Sequence, residues 1–231
     1  MTRRIYKKAE AVDEGDRHTV CLDGKALRTP AGQPLDLLGR ALSEAVAAEW
    51  SAQEGEILPE TMPLMRLACT ALDNVAQARS GVVDEVAAFA ESDLLCHRAE
   101  APGELAQKQH TAWQPWLDWA ERTFGARLAV TEGVIPVAQD EDAQTALRAA
   151  VAACDTWQLT ALRSLVQISG SLVLALAVLR GACGVDDAWA LSRLEEDHQT
   201  ARWGEDAEAA AAATRRRDFE AAARFLALLS A

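Results

Sequence analysis

The first forty residues of the chain carry strand and turn signals, which are clearest where apolar and polar positions alternate as they do in a short β-strand. The alternation over Arg17–Leu22 runs into Asp23 and Gly24, a dipeptide that suits the positive φ angles of a tight hairpin turn. A returning strand is predicted over 26–29 and a third short strand over 35–37. The N-terminal segment is therefore expected to form a small sheet built around a hairpin.

From Gly39 onward, apolar residues recur at the three-and-four spacing of amphipathic helices. In the first helix this spacing puts Leu42, Val46 and Trp50 on one face, so Trp50 is predicted to be a structural residue. The segment 127–137 has a strand-like composition, but its glycine and proline leave its structure open. Further helices are predicted over 63–77, 82–96, 104–124, 140–154, 158–179, 186–201 and 205–229.

The change from strand-like to helical patterning predicts an α+β fold with two domains. Residues 1–61 are expected to form a small, β-rich N-terminal α+β domain, and residues 62–231 a larger, mainly α-helical domain. The breaks at Gly55, Pro59 and Pro63 place the link between the domains at the end of the first segment.

The most apolar segment of the chain, 164–179, is too short and too interrupted to span a membrane. A spanning helix needs about 20 mostly apolar residues, and this segment contains Gln167, Ser169 and Ser171. It is therefore predicted to be a buried helix of the core, and no membrane insertion is expected.

The charge of the chain disfavours nucleic acids and anionic membranes as partners. Its 35 acidic and 23 basic residues give a net charge of −12. Such a surface repels the phosphate backbone of nucleic acids and anionic lipid, so a protein partner is favoured. The basic N-terminus runs into Glu10 without the apolar stretch of a secretory signal, and the five cysteines form no Cys-x-x-Cys pair. We therefore expect a cytoplasmic protein with reduced cysteines.

The catalytic motifs with the strongest sequence signatures are missing. The chain contains no nucleophile elbow, no phosphate-binding loop and no dinucleotide-binding fingerprint, so neither catalysis nor a cofactor is predicted. A nucleophilic Cys–His pair stays open, because a fold can bring distant residues together. Such a pair would join Cys69 or Cys96 with His97, His110 or His198.

One pair of residues has the spacing of a metal site. Glu195 and His198 stand three positions apart on a predicted helix, as ligands do in di-iron helix bundles. Those bundles need two such pairs and two further carboxylates, whereas the chain has one pair. We therefore interpret both residues as polar helix residues and predict no metal site.

The densest unusual feature is an acidic block late in the chain. Six carboxylates lie within 195–208, and Trp203 lies among them. One interpretation is an exposed acidic helix, a break at Gly204 and a new helix, because runs of charge are usually solvated. The other is a partner-binding surface, whose candidate residues are Glu195, Glu196, Asp197, Trp203 and Glu205.

Five strings of the sequence, taken in order, carry a resemblance to known proteins. They are AAEW at 47–50, MPLMRLA at 62–68 with TALD at 70–73, DLLCHRAE at 93–100, GSLVLALA at 170–177, and the acidic block through WGED at 203–206. Together these strings resemble the ATP12 family. The family consists of assembly chaperones of the catalytic head of the F-type ATP synthase. The resemblance extends from Ile5 to Phe225, which is nearly the whole chain.

The resemblance implies a chaperone that binds the unassembled alpha subunit and shields the surface that later meets the beta subunit, without hydrolysing ATP. It also implies a small N-terminal α+β domain and a larger helical domain. The acidic position that matters in the family corresponds to Glu195, and the tryptophan of the AAEW string to Trp50. Where the family often has an aromatic residue, this sequence has His97 and His198. The lack of a long Arg- and Ser-rich presequence predicts a bacterial member, which we expect to be a monomer.

On this basis the helical domain is expected to offer the alpha subunit an apolar groove with an acidic rim. Glu195 would lie at the rim, where its charge speeds the encounter and sets its orientation. Two other classes stay open. One is a hydrolase that uses carboxylates near Glu195, and the other is a helical interaction module with a different client.

Overall fold

The computed structural model describes residues 3–15, 17–101, 103–133, 137–203 and 209–230. The strands are β1 (Ala9–Glu14), β2 (Arg17–Leu22), β3 (Lys25–Ala26), β4 (His97–Arg98) and β5 (Thr131–Glu132). The α-helices are α1 (Arg40–Ser51), α2 (Pro63–Thr70), α3 (Arg79–Ala87), α4 (Glu104–Phe124), α5 (Glu141–Ala152), α6 (Thr156–Ser169), α7 (Leu172–Leu179), α8 (Val185–Ser192), α9 (Leu194–Trp203) and α10 (Ala209–Leu229). A small strand region followed by a mostly helical body confirms the predicted α+β class. None of the described helices is long and apolar enough to cross a membrane.

The chain forms two compact units, and each of them combines separate stretches of sequence. The first unit consists of Met1–Arg79, Thr156–Ala161 and Ala221–Ala231, and the second of Ser80–Asp155 and Leu162–Glu220. The five strands found among the described residues are short, and three of them lie in the first unit. The domain boundary predicted after residue 61 stays a prediction.

The first unit contains the antiparallel sheet β1-β2-β3, whose strands pair in sequence order. Asp23 and Gly24 connect β2 to β3 with φ angles of 49° and 82°, which confirms the predicted hairpin turn. The Asp23 carboxylate also accepts the backbone N–H groups of Lys7 and Lys8 at 3.0 and 2.8 Å. The turn therefore fixes the chain that enters β1.

Helix α1 buries the apolar face that its sequence predicts. Leu42 and Val46 are fully buried, and Trp50 is half-buried. The Tyr6 hydroxyl donates to the Trp50 carbonyl oxygen at 2.6 Å, and the two rings meet edge to face with centroids 5.7 Å apart. Because the buried Trp50 indole N–H finds no acceptor among the described residues, the ring contributes packing rather than a hydrogen bond.

Glu49 of α1 holds the start of α2. Its carboxylate accepts the backbone N–H groups of Leu64 and Met65 at 2.8 and 2.9 Å, which are first-turn donors that a helix leaves unpaired. Pro63 occupies the first helical position, as predicted, where a missing N–H does no harm. Burial raises the pKa of Glu49, although these two hydrogen bonds act in the opposite direction. The two helices are thereby fixed to each other.

In the second unit, the helix predicted over 82–96 ends at Ala87, and two short 3₁₀ segments and strand β4 follow it. Strand β4 pairs in parallel with β5, so the segment 127–137, which composition left open, contributes a strand. Helix α4 begins at Glu104, as predicted, and continues through Pro115. Pro115 therefore lies inside the helix without ending it.

Two predicted helices of the second unit are broken. The helix predicted over 158–179 is α6 and α7, separated at Gly170, whose φ of 70° is left-handed. Ser171 then caps α7, because its hydroxyl accepts a first-turn N–H at 3.1 Å. The helix predicted over 186–201 is α8 and α9, which meet at Arg193 with φ −106° and ψ 3°. Both predictions were wrong because the apolar period continues across a backbone break.

A buried carboxylate connects the segment after α3 to the start of α7. Asp93 is fully buried, and its oxygens accept hydrogen bonds from the Leu95 N–H at 3.0 Å, the Ser171 hydroxyl at 2.8 Å and the Val173 N–H at 3.0 Å. Burial raises the pKa of Asp93, while these hydrogen bonds lower it. The Asp93 carboxylate thus has hydrogen-bond donors from both sides, and it caps both the segment after α3 and helix α7.

Replacing Asp93 with alanine is expected to lower the free energy of unfolding by about 3 kcal/mol, because it leaves three buried donors without an acceptor. Urea denaturation of the wild type and of the Asp93→Ala variant measures this difference in the free energy of unfolding. The control is Glu91→Ala, which removes an exposed carboxylate from the same segment and is expected to change stability by less than about 0.5 kcal/mol. Equal midpoints for the two variants would contradict this account of Asp93.

Replacing Trp50 with alanine is expected to lower the free energy of unfolding by about 3 kcal/mol, because the Tyr6 ring loses its packing partner. The loss is measured by thermal unfolding followed by circular dichroism. Trp50→Phe keeps a ring and removes the buried N–H that has no acceptor, so its loss should stay below about 1.5 kcal/mol. An unchanged transition in the alanine variant would refute the structural role.

Candidate partner-binding surface

The acidic block begins where α8 meets α9, and this junction is anchored to α4. Trp113 of α4 is fully buried, and its indole N–H donates to the Leu191 carbonyl oxygen at 3.0 Å. Helix α9 then starts directly after Arg193, whose carbonyl oxygen accepts the Asp197 N–H at 2.8 Å. The first turn of α9 is therefore held at a defined place on the second unit.

Three of the five candidate residues lie together in this first turn. Glu195 is half-buried, whereas Glu196 and Asp197 are exposed. Carboxylates are favoured here because the N-terminus of a helix carries a partial positive charge. The Glu195 carboxylate accepts from the Gln199 side chain at 3.3 Å, and that of Glu196 from Arg193 at 3.1 Å. Both partners are near neighbours in the sequence, so the turn presents a compact group of carboxylates at the surface.

Half-buried apolar side chains precede the acidic turn. Trp189, Leu191 and Leu194 are all half-buried, and the Arg193 guanidinium carbon lies 5.9 Å from the centre of the Trp189 ring. Protein–protein interfaces combine an apolar centre with a polar rim, and these residues supply both kinds of side chain. We call the group formed by residues 189–197 the acidic corner.

The far half of α9 faces the start of α4 through polar contacts. His198 Nδ1 lies 3.4 Å from the Lys108 amine, which also pairs with Glu104 at 2.8 Å. The hydrogen bond and charge of Lys108 lower the pKa of Glu104, and the charges of His198 and Arg202 add to this. His198 therefore contributes to a polar contact between two helices.

The remaining two candidates lie at the other end of α9 or beyond it. Trp203 is the last residue of α9, about 12 Å along the helix axis from Glu195 at 1.5 Å per residue. Glu205 lies outside the described residues, as does the side chain of Trp203. The structure thus brings Glu195, Glu196 and Asp197 together and places the Trp203 backbone on the same helix.

The alternative chemistries receive no geometric support from the described part of the chain. No group of three or more His, Cys, Asp and Glu side chains there could hold a metal ion. Burial raises the pKa of the Cys96 thiol to about 12 and that of Cys69 to about 11, so both are protonated at neutral pH. A protonated thiol is a poor nucleophile, and neither cysteine has the lowered pKa of a catalytic one.

Sequence reasoning missed several polar side chains that are buried in the second unit. Asp93, Arg98 and Ser171 belong to two of the strings that resemble the ATP12 family, and Gln109 lies on α4. Because Asp93 and Ser171 bond to each other, the strings 93–100 and 170–177 meet inside the fold. The signal that could have identified these buried residues was the presence of polar side chains within otherwise apolar strings.

Comparison with known proteins gives a consistent result. The family described as ATP12 chaperone protein matches residues 3–121, which is more than half of the chain. The Schizosaccharomyces pombe protein named Protein atp12, mitochondrial, is 25% identical over 217 residues, which cover 87% of this chain and 74% of that protein.

Solved structures extend the similarity to the entire fold. Atp12 from Paracoccus denitrificans, seen also as a point mutant, is 42% identical with a TM-score of 0.93, and the match covers 99% of this chain and 98% of that one. A protein from Agrobacterium tumefaciens is 38% identical with a TM-score of 0.93, over 98% of this chain and 86% of that one. With a family match over more than half of its length, the chain belongs to the ATP12 chaperone family.

Proposed function

We propose that this chain is an assembly chaperone of the F-type ATP synthase, and that its client is the unassembled alpha subunit, whose beta-facing surface it shields. The observation that carries this proposal is membership of the ATP12 chaperone family, together with 42% identity to Paracoccus Atp12 over nearly the whole chain. The protein acts by holding its client, so the proposal contains no catalytic step.

The acidic corner is the surface that we assign to the client. Its carboxylates at Glu195, Glu196 and Asp197 complement basic groups, and its partly exposed apolar residues complement an apolar interface that is waiting for its final partner. Trp203 and Glu205 extend this proposed surface along the chain. An unassembled subunit exposes such an interface, which self-associates unless another protein covers it.

Charge gives the encounter its speed and its orientation. The net charge of −12 attracts a basic client surface over distances up to the Debye length, about 8 Å at physiological ionic strength. The contact area itself is then formed by shorter-range packing, so the carboxylates set orientation more than total affinity. Assembly of the final complex can displace a chaperone held in this way.

We further propose that the protein works as a monomer in the bacterial cytoplasm. The five cysteines all lie among the described residues, none of them forms a disulfide, and four are buried. Buried thiols without disulfides are usual in reducing compartments, where structural disulfides are rare. This location would place the chaperone where newly made subunits of a bacterial ATP synthase appear.

Tagged protein is expected to co-purify with separately expressed alpha subunit and not with beta subunit, as read by size-exclusion chromatography. The same experiment gives the size of the free chaperone, for which a monomer is expected. Binding to beta alone would refute the choice of client. Binding to neither subunit while other proteins from a cell extract are retained would favour a helical interaction module with a different client.

Glu195→Lys is expected to weaken alpha-subunit binding by at least roughly tenfold, because it reverses a half-buried charge at the proposed contact. Protection of the alpha subunit against aggregation, followed by light scattering, should fall in parallel. Glu91→Lys makes the same charge change at an exposed position on another segment and should leave protection intact. Full protection by Glu195→Lys would remove this residue from the contact.

A further inference from the structure

The second unit contains buried nitrogen donors for which the described residues supply no acceptor. They are Nη1 and Nη2 of Arg98 and Nε2 of Gln109. Arg98 is 6% exposed and Gln109 is 0% exposed, so bulk water does not solvate either group. Buried donors are nearly always paired in folded proteins, and an orphaned set of this kind requires an explanation.

The two side chains are held in place by the hydrogen bonds that they do make. Arg98 Nε donates to the Leu95 carbonyl oxygen at 2.9 Å, which leaves the other two guanidinium nitrogens free. Gln109 Oε1 accepts the Ala99 N–H at 2.7 Å, which turns its amide nitrogen away from that contact. Since Ala99 follows Arg98 directly, the two donor groups lie beside the same short strand.

Helix α4 supplies one wall of this region. Gln109 and Trp113 stand four residues apart and therefore share a helix face. The Arg98 guanidinium carbon lies 5.4 Å from the centre of the Trp113 ring. The Arg98 guanidinium thus lies beside the face of α4 that carries Gln109.

A negatively charged partner would stabilise the buried Arg98 guanidinium. An arginine side chain keeps its charge at any ordinary pH, and burying an unpaired charge costs several kcal/mol. Contact with an aromatic face recovers only part of that cost. Burial lowers the pKa of Arg98, because a low-dielectric surrounding disfavours the charged form. A carboxylate has two oxygens that match the two free guanidinium nitrogens, and a single charge that one arginine neutralises.

We propose that Arg98 and Gln109 form a buried carboxylate-binding site, in which Arg98 Nη1 and Nη2 donate to a carboxylate and Gln109 Nε2 supplies a third hydrogen bond. A free small carboxylate and an acidic side chain of a bound client offer the same chemistry. The client source rests on the proposed function, whereas the free source does not.

The first test uses the free protein with formate as the probe. Formate is expected to stabilise the wild type, raising the ratio of folded to unfolded protein about tenfold at ten times its dissociation constant. Arg98→Met should lose this response and, without formate, be at least as stable as the wild type, because it removes an unpaired buried charge. Arg98→Lys keeps the charge without the planar fork and should respond more weakly. Arg148→Met, at an exposed position of α5, is the matched control and should respond as the wild type does.

The second test measures alpha-subunit binding by the wild type, Arg98→Met and Gln109→Leu, each with and without formate. Weaker binding by both variants, together with competition by formate in the wild type, would assign the site to an acidic client residue. A formate response of the free protein with unchanged alpha-subunit binding would assign it to a free carboxylate. Equal behaviour of the wild type and Arg98→Met in both tests, or an equal response to chloride and formate, would overturn the proposal. The first test stands even if the alpha subunit is not the client.

Discussion

The second unit depends on one buried carboxylate, that of Asp93. Taking Asp93 out of water costs several kcal/mol unless hydrogen bonds replace its hydration, and three donors from two elements do so. These hydrogen bonds also fix helix α7, whose residues from Leu172 to Ala177 are all buried. A helix that is apolar all round has no polar face to set its rotation. The directional bonds at its first turn, from Ser171 and Val173, supply that missing information.

Asp93 and Arg98 bring opposite charges into the same unit, five residues apart, and the fold satisfies them to different degrees. The carboxylate has a full set of donors, whereas the guanidinium uses one of its nitrogens and an aromatic face. The chain as a whole is strongly acidic, with a net charge of −12. A free anion approaches the buried cation against that field, while a carboxylate on a bound protein is brought in by the rest of its interface.

Sequence patterns predicted the parts of this fold that follow one local rule. The hairpin turn at Asp23 and Gly24 and the start of α4 at Glu104 are examples. Strand β1 was missed because Ala9–Glu14 has little apolar alternation and depends on pairing with β2. The break at Gly170 was missed because apolar periodicity runs across it. The clustering of Glu195, Glu196 and Asp197 is local and could be predicted, but their place in the first turn of a helix could not, because the break at Arg193 was missed. The contact of Arg98 with Trp113 and that of Ala99 with Gln109 depend on the tertiary structure.

The first unit has a consequence for how the protein is made. Its core includes residues from the start of α6 and the end of α10, where Trp157 and Phe225 stack with ring centroids 6.0 Å apart. Domains usually fold in order as the chain leaves the ribosome at about 5–20 residues per second. Here the unit that contains the N-terminal sheet also includes residues that are synthesised more than a hundred positions later. The first unit therefore completes its core only after translation has reached Phe225. A protein proposed to guard unfinished subunits therefore passes through an unfinished state of its own.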